Sequence, residues 1–260
     1  MRAREYIRNL AASGRHHFTT ADALESVAGN PDAVRAQLRR LRRQGLIAEP
    51  QRSFHVIVPP EYRRLGCLPA EHFLDQLMQI RSDPYYIALL SAAERHGAAH
   101  HRPQACQVMV RKHRPAIECG MVRVAFIAKG DLQAMPVTMF NTPRGTLRYS
   151  TPEVTALDLV GYPNHAGGID NIATILSELT EELVAVRLLE ASRLSPVSWS
   201  QRLGYLLELI GQEELVQALR PFVQEHARSY TPLRRAASIR GARRDPVWKL
   251  IINVDVEPEQ

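Results

Sequence analysis

The sequence predicts a mixed α/β (α+β) protein of two domains, and three observations carry that expectation. The first 60 of its 260 residues read as three short helices and a hairpin. They hold ten arginines against five acidic residues, a net +5, whereas the other 200 residues carry 23 basic and 22 acidic groups, a net +1. From Ala105 onward, segments with the two-residue period of strands give way to a run of helices.

Tyr6, Ile7 and Leu10 stand at helical spacing between Arg4 and Ala12, and Gly14 ends that helix. Phe18-Thr19 is strand-like, and Thr20 is the expected cap of a second short helix. Asn30-Pro31 opens the most informative helix: proline suits a first turn, where its missing N–H costs nothing, and asparagine accepts from the free amides. Val34, Leu38 and Leu41 fall at i, i+4 and i+7, so one stripe packs inward and the arginines stay outside. Gly45 stops the helix. Leu46-Ile47-Ala48 then pairs with Phe54 to Val58 across Pro50-Gln51-Arg52-Ser53. Helix, helix, basic helix and two-stranded wing is the order of a winged helix-turn-helix, expected over residues 1–60.

Such a helix, anchored on one face and cationic elsewhere, suits a DNA major groove. Arg35 and Arg39 lie early and outward, where they can read guanine O6 and N7. Arg40, Arg42 and Arg43, later in the helix, and Arg52 at the wing tip are placed to meet phosphates. A solvated arginine-rich face is the plainer reading of the charge alone; the hairpin and the helical order favour DNA.

Pro59-Pro60 marks the end of this domain, and a helical connector over about 61–82, with His72, Phe73, Leu77 and Ile80 in its apolar stripe, leads into a larger mixed α/β domain spanning 61–260. A second apolar helix is expected from Tyr85 through Ala93 to Gly97. Strands follow at Gln107–Val110, Met121–Ile127, Pro136–Phe140 and Thr146–Tyr149, the last two joined by Pro143-Arg144-Gly145. Thr151-Pro152-Glu153 supplies a cap, an N-terminal proline and an early carboxylate for a helix through Val160. Helices over Ile169–Leu179, Leu183–Ala191, Ser198–Ile210 and Glu213–Glu225 come next. A basic, irregular tail from Tyr230 to Arg244 precedes a last strand at Trp248–Ile252.

No uncharged run approaches the ~20 residues of a membrane span, and the amino terminus lacks a signal-peptide core, so a cytoplasmic protein without membrane partners is expected. Cys67, Cys106 and Cys119 are odd in number and include no Cys-x-x-Cys, which argues against a disulfide framework or a zinc site and for small buried hydrophobes. His96, His100, His101 and His113 are near one another in sequence, but Gly97 should end the helix among them. Asp255 and Glu257 alternate at a chain end that is expected to fray. Gly167-Gly168 precedes a helix without the spacing or lysine of a P-loop. No nucleophile–histidine–acid set assembles from local context. The expectation is therefore no catalytic residues, no metal, no cofactor and no enzyme.

Several short segments, in order, resemble the AbiE-type (AbiEi) antitoxins, the antitoxin half of type IV toxin–antitoxin and abortive-infection systems. They are the winged helix, Tyr85 to Ala92, Thr151 to Val160 with the Gly167-Gly168-Ile169 turn, Arg202 to Glu208 and Trp248 to Asn253. The resemblance implies a DNA-binding antitoxin that binds inverted repeats upstream of its own operon, and so autoregulates it, and that counteracts a nucleotidyltransferase toxin through the second domain. The chain departs from the family at Val154, where an arginine is usual. For the toxin or a nucleic acid, the sequence itself offers only Arg234, Arg235, Arg240, Arg243 and Arg244, five cations in fifteen residues. The competing readings are a winged-helix transcription factor with a ligand-sensing second domain and, further off, a nucleotidyltransferase-like enzyme.

Overall fold

The computed structural model describes residues 1–98 and 103–257. Helix α1 (Ala3–Ala12) buries Ala3, Tyr6 and Ile7, and β1 (His17–Thr19) leads into α2 (Thr20–Ser26). The cap of α2 is Thr19, one residue earlier than expected: the Asp22 N–H donates to its hydroxyl at 3.1 Å, and its own N–H donates to the Asp22 carboxylate at 3.0 Å. In α3 (Pro31–Arg43), Asn30 Oδ1 accepts from the Ala33 N–H at 2.8 Å, and Val34, Leu38 and Leu41 are buried.

The wing is β2 (Ile47–Gln51) against β3 (Phe54–Ile57), a pairing made irregular between Ala48 and Gln51. On its other side β3 pairs antiparallel with β1, His17 opposite Val56, which gives the sheet order β1-β3-β2. This is winged-helix topology. Its core, from Ala3 to Ile57 and including Phe18, Leu38 and Leu41, draws only on the first 60 residues.

Helix α4 (Leu74–Ile80) is the connector helix, shortened because Phe73, fully buried, leaves helical geometry at φ −141°, ψ −12°. Where one helix was expected up to Gly97, Tyr85–Ile87 is a strand, β4, and α5 starts at Leu89 (Leu89–Arg95). Ala88 is extended and Leu89 turns at φ +55°, so the apolar run is cut in two; an unbroken buried run has no period to tell helix from strand. Then come β5 (Cys106–Val110), β6 (Ile117–Cys119), β7 (Val122–Ala128), and the hairpin of β8 (Val137–Thr142) and β9 (Gly145–Ser150). The helical run is α6 (Pro152–Gly161), α7 (Ile169–Leu179), α8 (Ala185–Arg193), α9 (Val197–Leu209) and α10 (Glu213–His226). The tail expected to be irregular carries β10 (Thr231–Pro232) and β11 (Arg243–Asp245), which flank β12 (Leu250–Ile252) in a three-stranded sheet.

The chain divides into two compact units. The first comprises Met1–Tyr85, Gln104–Gly130 and Met139–Leu147. In it β7 pairs parallel with β5 and antiparallel with β6, and β6 packs against the wing strand β2. The second comprises Tyr86–Pro103, Asp131–Thr138 and Arg148–Gln260. At its centre α6 is buried almost all round, Val154 at 1% exposure included, and α7, α8 and α9 pack on it. An apolar side chain fits at Val154 without the counter-charge that a buried arginine would demand.

Candidate nucleic-acid interface

The helical spacing of α3 sends Arg35, Arg39 and Arg42 along one flank, toward the wing. With Arg52, Thr20, Glu49 and His55 they line an open cleft of about 370 Å³ between α3 and the β2–β3 hairpin. Arg40 and Arg43 are exposed too, Arg43 one turn beyond Arg39 and Arg40 further round the helix. Arg42, grouped by sequence with those two, thus shares its face with Arg35 and Arg39.

Glu49 ties helix to wing. One carboxylate oxygen accepts from Arg42 at 2.5 Å, and the other accepts from the Ser53 N–H at 3.0 Å, which fixes the wing turn at the point where Ser53 adopts φ +65°. Arg35 meets Asp32 at 3.3 Å, an exposed pair worth little to stability and easily exchanged for a phosphate. Arg39 makes no salt bridge with a described residue. Four guanidinium groups therefore face the cleft against one carboxylate, Glu49.

The cleft floor is a residue pair that sequence reading did not single out. The Thr20 hydroxyl and His55 Nε2 stand 2.9 Å apart, and the His55 ring lies over Phe18 with centroids 5.1 Å apart. Burial holds the His55 imidazole below its ordinary pKa. A histidine in the middle of a strand with buried neighbours was the available signal.

In the second unit, Arg234, Arg235, Arg240, Arg243 and Arg244 are all exposed. Arg234 and Arg235 line a cleft of about 280 Å³ with Tyr162 to His165 and Gly168; Arg243 and Arg244 lie on β11 opposite Ile252 and Ile251; Arg244 sits 5.3 Å from the Tyr230 ring centre. Beneath this tail, α9 acts as its anchor. Gln201 Nε2 donates to the carbonyls of Ser229, Trp248 and Lys249. Arg202, 2% exposed, donates through Nε to the carbonyls of Pro232 and Leu233 and through Nη2 to the Thr231 hydroxyl. Burial holds that guanidinium down to about 10. Trp248 Nε1 donates to Glu208 at 2.5 Å. The segments around Arg202 and Trp248, separate in sequence, are thus one structural joint.

Elsewhere in this unit Tyr86 donates its hydroxyl proton to the buried Asp158 carboxylate at 2.9 Å, and Glu153 accepts from the Val184 N–H at 3.2 Å. These buried acids hold structure together. Among the described residues no group of three or more His, Cys, Asp and Glu is placed to hold a metal, and no helix is long and apolar enough to cross a membrane. His96 Nε2 lies 2.8 Å from the Ser150 carbonyl oxygen; His100 and His101 fall outside the described residues.

Known proteins add two likenesses. A crystal structure of the RV2827C protein from Mycobacterium tuberculosis has the same fold, with a TM-score of 0.68 at 18% identity, over 96% of this chain and 90% of that one. No curated protein matches the sequence. Residues 86–209 match the family model of the AbiEi antitoxin C-terminal domain, a stretch that holds the Tyr86–Asp158 pair, all of α6 and the whole anchoring helix α9. Over this stretch, residues 86–209, the chain is similar to the C-terminal domain of the AbiEi antitoxins.

Proposed function

We propose that the protein is an antitoxin of a type IV system that represses its own operon. Residues 1–60 bind inverted repeats in double-stranded DNA upstream of that operon, and the segment that follows, 61–260, counteracts a nucleotidyltransferase toxin. The observation that carries the DNA half is the convergence of Arg35, Arg39, Arg42 and Arg52 on one cleft between a capped helix and its wing. A groove-reading helix needs this arrangement: early arginines at base edges, wing and later arginines on phosphate. Arg40 and Arg43, exposed in the last turns of the helix, meet phosphates. The antitoxin half rests on the family of residues 86–209, and the regulatory character of that family favours a protein without catalysis of its own.

Because residues 1–60 share their compact unit with later segments, the two halves are separated by substitution in the full chain. The adjacent gene is induced alone, with the wild-type chain, and with a chain carrying Arg35, Arg39, Arg42 and Arg52 all changed to alanine. Toxicity rescued by both chains, with binding to the upstream repeats lost only in the substituted one, is the expected result. No toxicity, or no rescue, rejects the antitoxin reading in favour of a ligand-sensing regulator.

A further inference from the structure

Within the first unit, a second cleft of about 290 Å³ opens between α1 and the chain that leaves the wing. Its floor is apolar, running from Ile7 and Ala11 of α1 across Leu46 to Ile57 and Val58. Ile7 and Ile57 also belong to the core of the first domain, so the floor is held from beneath. The strand end is fixed as well: the Ile57 N–H donates to the His16 carbonyl at 2.8 Å, and the Val58 N–H donates to the Leu46 carbonyl at 3.0 Å. Pro59 and Pro60 continue the wall with little freedom to fold inward, and the short side chain of Ala11 leaves the space unfilled. The cleft is therefore formed before anything enters it.

Its rim is cationic. Arg4 and Arg8, one turn apart on α1, and Arg63 beyond the proline pair all line the opening, and all three are exposed. None makes a side-chain hydrogen bond or salt bridge with a described residue. Neither Glu5 nor Glu61, the nearest acids in sequence, contributes to the lining. Like charges at i and i+4 weaken a helix slightly, so Arg4 and Arg8 gain nothing from each other. An apolar floor under three uncompensated guanidinium groups matches a molecule with an apolar body and an anionic head. DNA phosphates alone would leave the floor unused, and the volume, near the lower end for ligand pockets, is too small for a helix of a partner protein.

We propose that this cleft binds a small apolar organic acid, an alkyl or aryl carboxylate, with its body on the Ile7–Ile57 floor and its carboxylate among Arg4, Arg8 and Arg63. The assignment depends on neither the antitoxin nor the DNA reading, because the cleft and its rim lie outside the set of residues that carry them.

The test titrates the full chain with octanoate by calorimetry and follows backbone amide shifts. Octanoate should bind with shifts centred on Ala11, Leu46, Ile57 and Val58. Hexanoate should bind roughly fifteenfold more weakly, since each buried methylene is worth roughly fourfold in affinity. 1-Octanol, with a similar body and no charge, should bind about tenfold more weakly. Replacing Arg4, Arg8 or Arg63 singly by alanine should weaken octanoate binding about threefold each, as exposed charges do, without altering thermal unfolding. Ala11→Met, a good helix former that fills the space, should abolish binding. Equal binding of octanol and octanoate, undiminished binding by the triple arginine variant, or shifts scattered away from the cleft would overturn the proposal. Capture of the chain by phosphatidylglycerol vesicles without binding of free octanoate would give this face to a membrane surface and overturn it too.

Discussion

At the scale of single residues, sites that look alike in sequence differ in consequence. Gly204 lies within α9, where a glycine weakens a helix, yet a Cβ there would come within 2.0 Å of the Trp248 ring. Gly204→Ala should therefore destabilise the second unit by about 3 kcal/mol despite its better helix propensity, because the ring has no room to retreat while Nε1 is held by Glu208. A chemical denaturation curve checks this; an unchanged or raised midpoint would show that Trp248 repacks freely. The arginines of α3 divide in the same residue-by-residue way. Arg39, in the cleft and without a salt bridge, should on replacement by alanine relax sequence preference at one base pair, at a cost of about 1–3 kcal/mol on the specific site. Arg43→Ala, at the end of the helix, should weaken specific and random DNA alike and lower the salt slope by about one. Titrations of both variants at several salt concentrations distinguish the two roles, and equal losses on both DNAs for both variants would refute the division.

At the scale of elements, the capped start of α3 sets where its arginines point. Asn30→Ala removes the acceptor for the Ala33 N–H and should cost about 1 kcal/mol, with fraying of the first turn that carries Asp32 and Arg35. Thermal unfolding gives the first number, and loss of DNA affinity without a change in salt slope marks the second effect; an Asn30→Ser variant should restore both. This helix was legible because cap, proline, apolar spacing and stop all lie between Asn30 and Gly45, and the signals for α7 and α10 are similarly local. The strand at Tyr85–Ile87 was not, since three successive buried residues carry no period. Nor was β6, three residues long, whose pairing with Val122 to Val124 is decided by its partner strand. The cleft was half legible: spacing along α3 put Arg35 and Arg39 together, but the place of Arg42 depends on Glu49 in the wing, just as the close approach of the Gly66 and Gly120 turns joins segments far apart in the chain. Long-range contacts of this kind leave no local mark.

At the scale of the whole molecule, titration separates the first unit from the rest of the chain. His16, His17, His55 and His72 all lie in that unit, and in each burial is the leading cause that lowers the imidazole pKa from its ordinary 6.5. His55 shows why: Nδ1 is buried without a partner, and Nε2 is engaged with Thr20, so a second proton would enter a site with no acceptor for it. Below pH 6.5 the unfolded chain takes up protons that the folded unit refuses, so stability rises with pH across this window. It is complete above 6.5 and is lost as pH falls through the depressed folded values. Asp22 behaves in the same sense but lower: its folded pKa lies below 3.8, held down against desolvation by the Thr19 and Arg15 hydrogen bonds, so its contribution persists until well after the histidines have been spent. Denaturant midpoints should decline between about pH 6.5 and 5, with His55→Gln flattening part of that decline because a neutral amide keeps an acceptor for Thr20 without the titration. A midpoint that rises on acidification over this range would mean that these imidazoles gain, on folding, an anionic partner that their burial argues against.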